Sequence, residues 1–344
     1  MKKLLLVLFS LVLLVGCTNN SSQNGATEDL SGSTQKKDEV KEEAATEETS
    51  EDNNEEVVEE DITLNILSPQ GAPALSLIPV INEGKHSVNT VSGADVVSAE
   101  LSQKSPNYDV IVAPTNLGVK LAATGNSDYL LYAIVDYGNL YLVGKADSWN
   151  MPNNDGTNIP FSVAAFGESA VPGLVYKKAY EDLVDVTTFY NDVNEAREML
   201  LSGNADIALL AEPAATATIA AAKKNGLELS IVSNVQEEWG NDGFPMAGLF
   251  VHKDVLENNK GAIEALYNQI KEYSDSVDMS DTTQLVEDIN NGGIEVYGVP
   301  NAEIIGKCYD RINIDIKKAS ECVDDIAQFL GLFGVEDVSG TIVE

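Results

Sequence analysis

The sequence predicts an α/β fold of two lobes, each with a mainly parallel sheet flanked by helices, joined by two hinge crossings. Three observations predict it. From Ile62 onward, short β-rich runs alternate with helical stretches, the rhythm of strands joined across a parallel sheet. That rhythm occurs twice, over about residues 62–125 and again after Asn158. Two further strand-like runs, 140–143 and 246–252, stand between and after the units with Gly138, Gly240 and Gly243 nearby. They divide the chain into a first lobe of 61–137 plus 251–344, a second lobe of 145–242, and hinges at 138–144 and 243–250.

The first unit opens with residues 62–67, which alternate as a strand does. Ser68-Pro69-Gln70-Gly71 reads as a turn, and Pro73 suits the first turn of a helix running to about residue 81. Residues 87–91 read as the second strand, with a helix from about Asp95. Residues 109–113 form an apolar third strand, and Pro114-Thr115-Asn116 opens a helix that closes near Gly125.

In the second unit, 161–166 is a strand, and Gly167-Glu168-Ser169-Ala170 leads into a helix near Val171 with Pro172 in its first turn. Residues 186–190 are a strand, and Asp192 or Asn194 caps a helix to Leu201. Gly203-Asn204 turns the chain into the strand 205–211. Glu212-Pro213 starts an Ala-rich helix to Lys224, and 227–232 gives one more strand. Periodicity makes 262–277, 282–290 and 314–330 helical.

The N-terminal segment is of another kind. Lys2 and Lys3 precede an apolar run, residues 4–15, that is short for a membrane span. Leu14-Val15-Gly16-Cys17 resembles the lipobox of bacterial lipoproteins. The resemblance implies a signal peptide of residues 1–16, cleavage before Cys17, and lipidation of that cysteine, palmitate included. Residues 18–61 then hold 15 acidic residues against 3 lysines. Such a composition cannot bury enough apolar surface to offset chain entropy, so 17–61 is expected to be a disordered acidic tether. As a random coil it would span about 35–40 Å, and more when its charges repel.

Charge excludes several partners. The chain carries −34, and Ile62 onward retains −24 of it. So acidic a domain does not bind nucleic acid through phosphate contacts, nor anionic lipid by charge alone. His86 and His252 stand far apart with no ligand-spaced cluster, so no metal site and no cofactor are expected. Cys308 and Cys322 read as free cysteines packed as small hydrophobes, a disulfide being the alternative. Catalysis is disfavoured too. Ser169 in Phe-Gly-Glu-Ser-Ala lacks the second glycine of a nucleophile elbow, and two histidines leave little scope for a Ser–His pair.

Together, the lipobox, the acidic tether, the two α/β units and the double crossing resemble the substrate-binding lipoproteins of ABC importers, with the type II periplasmic-binding-protein fold. Ala113-Pro114-Thr115-Asn116, Gly138-Asn139-Leu140-Tyr141-Leu142-Val143 and Ala211-Glu212-Pro213-Ala214 look like the group that carries sulfonates, nitrate or the pyrimidine precursor of thiamine. The resemblance covers about residues 62–275. It implies a lipid-anchored monomer on the outer face of the cell membrane, which captures a small molecule and hands it to an ABC-importer permease. A departure is that no Lys or Arg stands in any expected cleft turn. A tethered ligand sensor for a membrane kinase is the alternative, and an enzyme on the same fold a more distant one.

Open α/β sheets bind ligands beyond the carboxyl ends of their strands. The expected cleft turns are 68–72, 92–95, 113–116, 166–173, 190–192 and 211–214. Candidate ligand-binding residues there and at the hinge are Ser68, Gly71, Ala72, Gly93, Asp95, Thr115, Asn116, Tyr137, Asn139, Gly167, Glu168, Ser169, Tyr190, Glu212 and Phe244. Helix starts offer free N–H donors, and Gly71, Gly93 and Gly167 let a ligand approach the backbone. Asp95, Asp136 and Glu212 suit a ligand's amine or ring N–H, though Asp95 and Glu212 equally suit a helix first turn or a hinge hydrogen bond. Tyr137, Tyr141, Tyr190 and Phe244 suit stacking on a planar ligand, or a place in the core. Trp149 and Trp239 are open in the same way.

Overall fold

The computed structural model describes residues 62–146, 149, 159–240 and 243–344. The signal peptide, Cys17 and the tether lie outside the described residues. Among those described, eleven strands form two sheets. β1 (Asn65–Pro69), β2 (Ser87–Val91), β3 (Val110–Pro114) and β4 (Tyr129–Asp136) belong to the first. β5 (Leu140–Gly144), β6 (Ile159–Phe166), β7 (Val184–Tyr190), β8 (Ile207–Ala211) and β9 (Ser230–Asn234) make the second. β10 (Ala247–His252) and β11 (Lys317–Lys318) return to the first. The strand orders are β11-β4-β10-β3-β1-β2 and β7-β6-β8-β5-β9.

Most strands of each sheet run one way, as expected: β1 to β4 in the first and β6 to β9 in the second, with β5, β10 and the edge strand β11 opposed to them. β2-β1-β3 and β7-β6-β8 are parallel, but β10 runs antiparallel to β3 and β4, and β5 antiparallel to β8 and β9. The reason is the crossing itself. A strand that arrives from the other lobe enters at the carboxyl edge of its neighbours, so it must run against them. Leu140 thus starts beside Ala211, and Ala247 beside Pro114. The runs expected between the units are therefore strands inside the sheets. The chain between sheets is only 137–139 on one side; on the other it includes the helix Val235–Trp239 and, among the described residues, 240 and 243–246.

Local chemistry explains most elements. Asp192 caps the helix Val193–Leu201 by accepting from the Asn194 and Glu195 N–H groups. The helix expected after Pro73 is two, Ala72–Leu75 and Ile78–Glu83. Pro79 has no N–H to continue an earlier helix, but it fits the first turn of a new one. The helix expected over 314–330 is confined to Val323–Gly331. Lys317 and Lys318 instead pair with Ile134 and Ala133 on the open edge of β4.

The C-terminal segment packs on the first lobe. After helix Lys260–Ser276 come Thr283–Gly292, Ile294–Tyr297, Ala302–Gly306 and Tyr309–Ile312. Leu285, Ile289, Tyr297, Ile305 and Ile312 share one buried cluster with Ala74, Leu75 and Ile78. Cys308 and Cys322 are buried and free. No helix among the described residues is long and apolar enough to cross a membrane.

Candidate ligand-binding site

The two crossings run side by side. The Phe244 N–H donates to the Tyr137 carbonyl at 3.1 Å, and the Met246 N–H to the Asp136 carbonyl at 3.0 Å. The Met246 carbonyl accepts from the Thr115 N–H at 3.0 Å. Met246 therefore sits between the ends of β3 and β4 and holds Thr115 and Asp136 on either side. Two glycines allow this approach. Gly138 (φ 91°) lies under the Phe244 ring, and Gly243 (φ 115°) lies against the Tyr137 carbonyl. A side chain at either would meet both strain and a clash.

At this edge of the first sheet several buried polar atoms have no partner in the structure: Thr115 Oγ1, Asn116 Oδ1 and Asp136 Oδ2. Asp136 Oδ1 accepts from the Gly138 N–H at 3.1 Å. Burial, only partly offset by that bond, pushes the Asp136 carboxyl up to about 7. An unpaired buried polar atom costs about 1–3 kcal/mol, so three of them near one edge are a notable expense. Ser68, wholly buried at the end of β1, donates its hydroxyl proton to the Pro69 carbonyl.

Several of the backbone donors expected at the cleft turns are engaged. The Gly71 N–H donates to the Tyr297 carbonyl at 2.8 Å, and the Gln70 side chain to the Glu295 carbonyl at 2.8 Å. The C-terminal segment thus covers the turn after β1, and Ala72 is buried beneath it. The Gly167 N–H donates to the Tyr190 carbonyl, while the Gly167 carbonyl accepts from Ala170 and Gly173. Thr115, as noted, is bonded to Met246. Gly93 and Asp95 are exposed in the first lobe, and Glu168 and Ser169 in the second. Glu168 also pairs with Lys177 at 3.1 Å.

Glu212 is committed to the protein. Its fully buried carboxylate accepts from Arg311 Nε at 3.0 Å, from the Thr216 N–H at 3.0 Å and from the Thr216 hydroxyl at 2.8 Å. Asn139 and Glu212 also exchange bonds: the Glu212 N–H donates to the Asn139 carbonyl, and the Asn139 side chain to the Glu212 carbonyl. Arg311 escaped the sequence reading because 99 positions separate the pair. The usable signal was Glu212 itself, an acid between an apolar strand and an Ala-rich helix, which requires a cation.

The aromatic candidates are engaged as well. Phe244 stacks on Phe329, with centroids 5.8 Å apart, and meets the edge of Trp239. Lys317 Nζ lies 4.7 Å from the centre of the Tyr137 ring. The Tyr141 hydroxyl donates to the Arg311 carbonyl. Tyr190 is half-buried against the second-lobe core, and Trp149 packs edge-on against Tyr180. The structure thus gathers Ser68, Thr115, Asn116 and Asp136 at the strand ends of one lobe, leaves Gly93, Asp95, Glu168 and Ser169 open, and uses the remaining candidates internally.

A crevice of about 240 Å³ lies beside the crossing, lined by Tyr141, Asn234 and Gln236 with Asp310, Arg311 and Asn313 of the C-terminal segment. Among the described residues no group of three or more His, Cys, Asp and Glu side chains is placed to hold a metal ion.

Solved structures share this architecture. An ABC transporter protein of Parabacteroides distasonis matches with a TM-score of 0.61 at 18% identity, over 83% of this chain and 97% of its own. The fold is that of the periplasmic binding proteins. The aliphatic sulphonate binding protein SsuA of Escherichia coli matches with a TM-score of 0.61 at 14% identity, over 82% and 92% of the two chains. The ligand-binding component of an ABC-type import system from Staphylococcus aureus, solved with zinc bound, gives 0.54 at 13%, over 82% and 96%. No protein-family model and no curated protein matches the sequence. The likeness read from the residues is thus a likeness of fold, carried at low identity.

Proposed function

We propose that the protein is an extracytoplasmic solute-binding lipoprotein. It captures a small molecule between its lobes and delivers it to the permease of an ABC-type importer. The observation that carries the reading is the pairing of two strand-end edges across a double crossing, with unpartnered polar atoms at Thr115, Asn116 and Asp136 on one of them. The fold neighbours, named as ABC-import and sulphonate-binding proteins, support it. The lobes move about 137–139 and 243–246, and closure desolvates the ligand. Cys17 and the acidic segment behind it supply the anchor and the reach. The protein works as a monomer and performs no catalysis.

A thermal-shift screen tests the reading. A ligand at 100 times its Kd adds about 2.7 kcal/mol to the stability of the folded state. Failure of every small molecule to raise the melting temperature, in a screen spanning cations, neutral heterocycles and oxoanions, rejects it.

A further inference from the structure

We propose that this cleft selects a small ligand that donates hydrogen bonds, best a cationic amine or amidine, because the unpartnered atoms at its first-lobe edge can all accept them. The inference rests on the solute-binding reading above and names the class of its ligand.

The acceptors come first. Asp136 Oδ2 and Asn116 Oδ1 are acceptors buried without partners, while Thr115 Oγ1 and the Tyr137 hydroxyl, also without partners, can each accept or donate. Ser68 has already given its proton to the Pro69 carbonyl, which leaves it only acceptor capacity. The register brings these groups together. Ala247 lies opposite both Pro114 and Asp136, so the ends of β3 and β4 flank a single strand. At about 4.8 Å per strand, their backbones stand about 10 Å apart, a span that one small molecule bridges.

Some of the donors an oxoanion would use are spent elsewhere. The Gly71, Thr115 and Gly167 N–H groups bond to carbonyls of the protein. Arg311, the cation at the lobe junction, is bound to Glu212. The open residues of the cleft turns include Asp95, which repels an anion and attracts a cation, while Glu168 is neutralised by Lys177. A cation that reaches Asp136 supplies the missing partner and favours its ionised form.

The test is calorimetric titration of the full chain with two sets of probes. One set is n-butylamine, agmatine and 4-aminopyrimidine; the other is nitrate, sulfate and ethanesulfonate. At least one donor probe should bind, and no oxoanion. Asp136→Asn should weaken that donor's binding at least tenfold. Asn116→Leu, at a half-buried position where folding is less at stake, should weaken it severalfold, with circular dichroism confirming that both variants fold. Binding of an oxoanion overturns the inference and leaves the solute-binding reading standing. Donor binding unchanged in both variants also overturns it. Binding by none of the six probes overturns it as well. The solute-binding reading itself then falls only if the broader thermal-shift screen is also blank.

Discussion

Arg311 Nε lies 3.0 Å from Glu212 Oε1, and this pair ties the C-terminal segment on the first lobe to the helix that follows β8 in the second. Arg311 also donates to the Thr216 hydroxyl and the Lys307 carbonyl. The Glu212 side chain has no exposure, whereas Arg311 keeps 31%. Removing the cation therefore strands a buried carboxylate. Arg311→Met should cost about 3–5 kcal/mol in urea unfolding, and adding Glu212→Gln should recover much of it. Equal loss in the single and double variants would show that the pair is not coupled.

Asp136 gives a pH dependence of definite sign. Burial pushes its folded carboxyl up to about 7, against an ordinary 3.8 in the unfolded chain. Between those values the folded state holds a proton that the unfolded state has lost, so this group's contribution to stability falls as pH rises through that window. The slope is about 1.4 kcal/mol per pH unit at most. Asp136→Asn removes it. Relative to wild type, the variant should gain stability steadily from pH 4 to pH 7 in chemical denaturation. A constant difference across that range would contradict the burial argument.

Gly243 should be intolerant of any side chain. Its φ of 115° and its contact with the Tyr137 carbonyl leave no room for a methyl group. Gly243→Ala should cost about 1–3 kcal/mol through strain and displacement of the paired crossings. Gly331→Ala, where an added Cβ meets nothing and φ is ordinary, should be nearly neutral. Thermal melts of the two variants make the comparison.

The alternation of strands and helices was legible because period and turn chemistry are local. Residues 87–91 read as a strand and are one, and Asp192 was readable as a cap. β4 was missed because Tyr-Leu-Leu-Tyr-Ala-Ile-Val-Asp is apolar on both faces and carries no alternation. The antiparallel strands were found as strands but not placed, since direction depends on which lobe the chain comes from. The helix over 314–330 failed because an open sheet edge captured Lys317 and Lys318. At the site, strand-end turns could be located by sequence, but whether their donors were free could not. The partners of Gly71 and Glu212, Tyr297 and Arg311, lie in the C-terminal segment, and no local pattern joins them.

The anchor is tested apart from the folded domain. Cys17→Ser should abolish incorporation of labelled palmitate and leave the precursor unprocessed or release the protein. Deleting residues 21–60 should leave the melting temperature nearly unchanged, because so polar and acidic a segment has little apolar surface to pack. Undiminished labelling of the serine variant would refute lipidation at this cysteine.

The central claim is that a small molecule draws the two lobes together, and one distance reports it. Asp95 and Ser169 are exposed on turns of opposite lobes, and the native Cys308 and Cys322 are buried away from label. Spin labels on Asp95→Cys and Ser169→Cys, with Cys17 replaced by serine, give that distance by double electron–electron resonance. Adding a probe that binds in calorimetry should shorten it by several ångströms and narrow its distribution. An unchanged distance at saturating probe would contradict ligand capture by lobe closure.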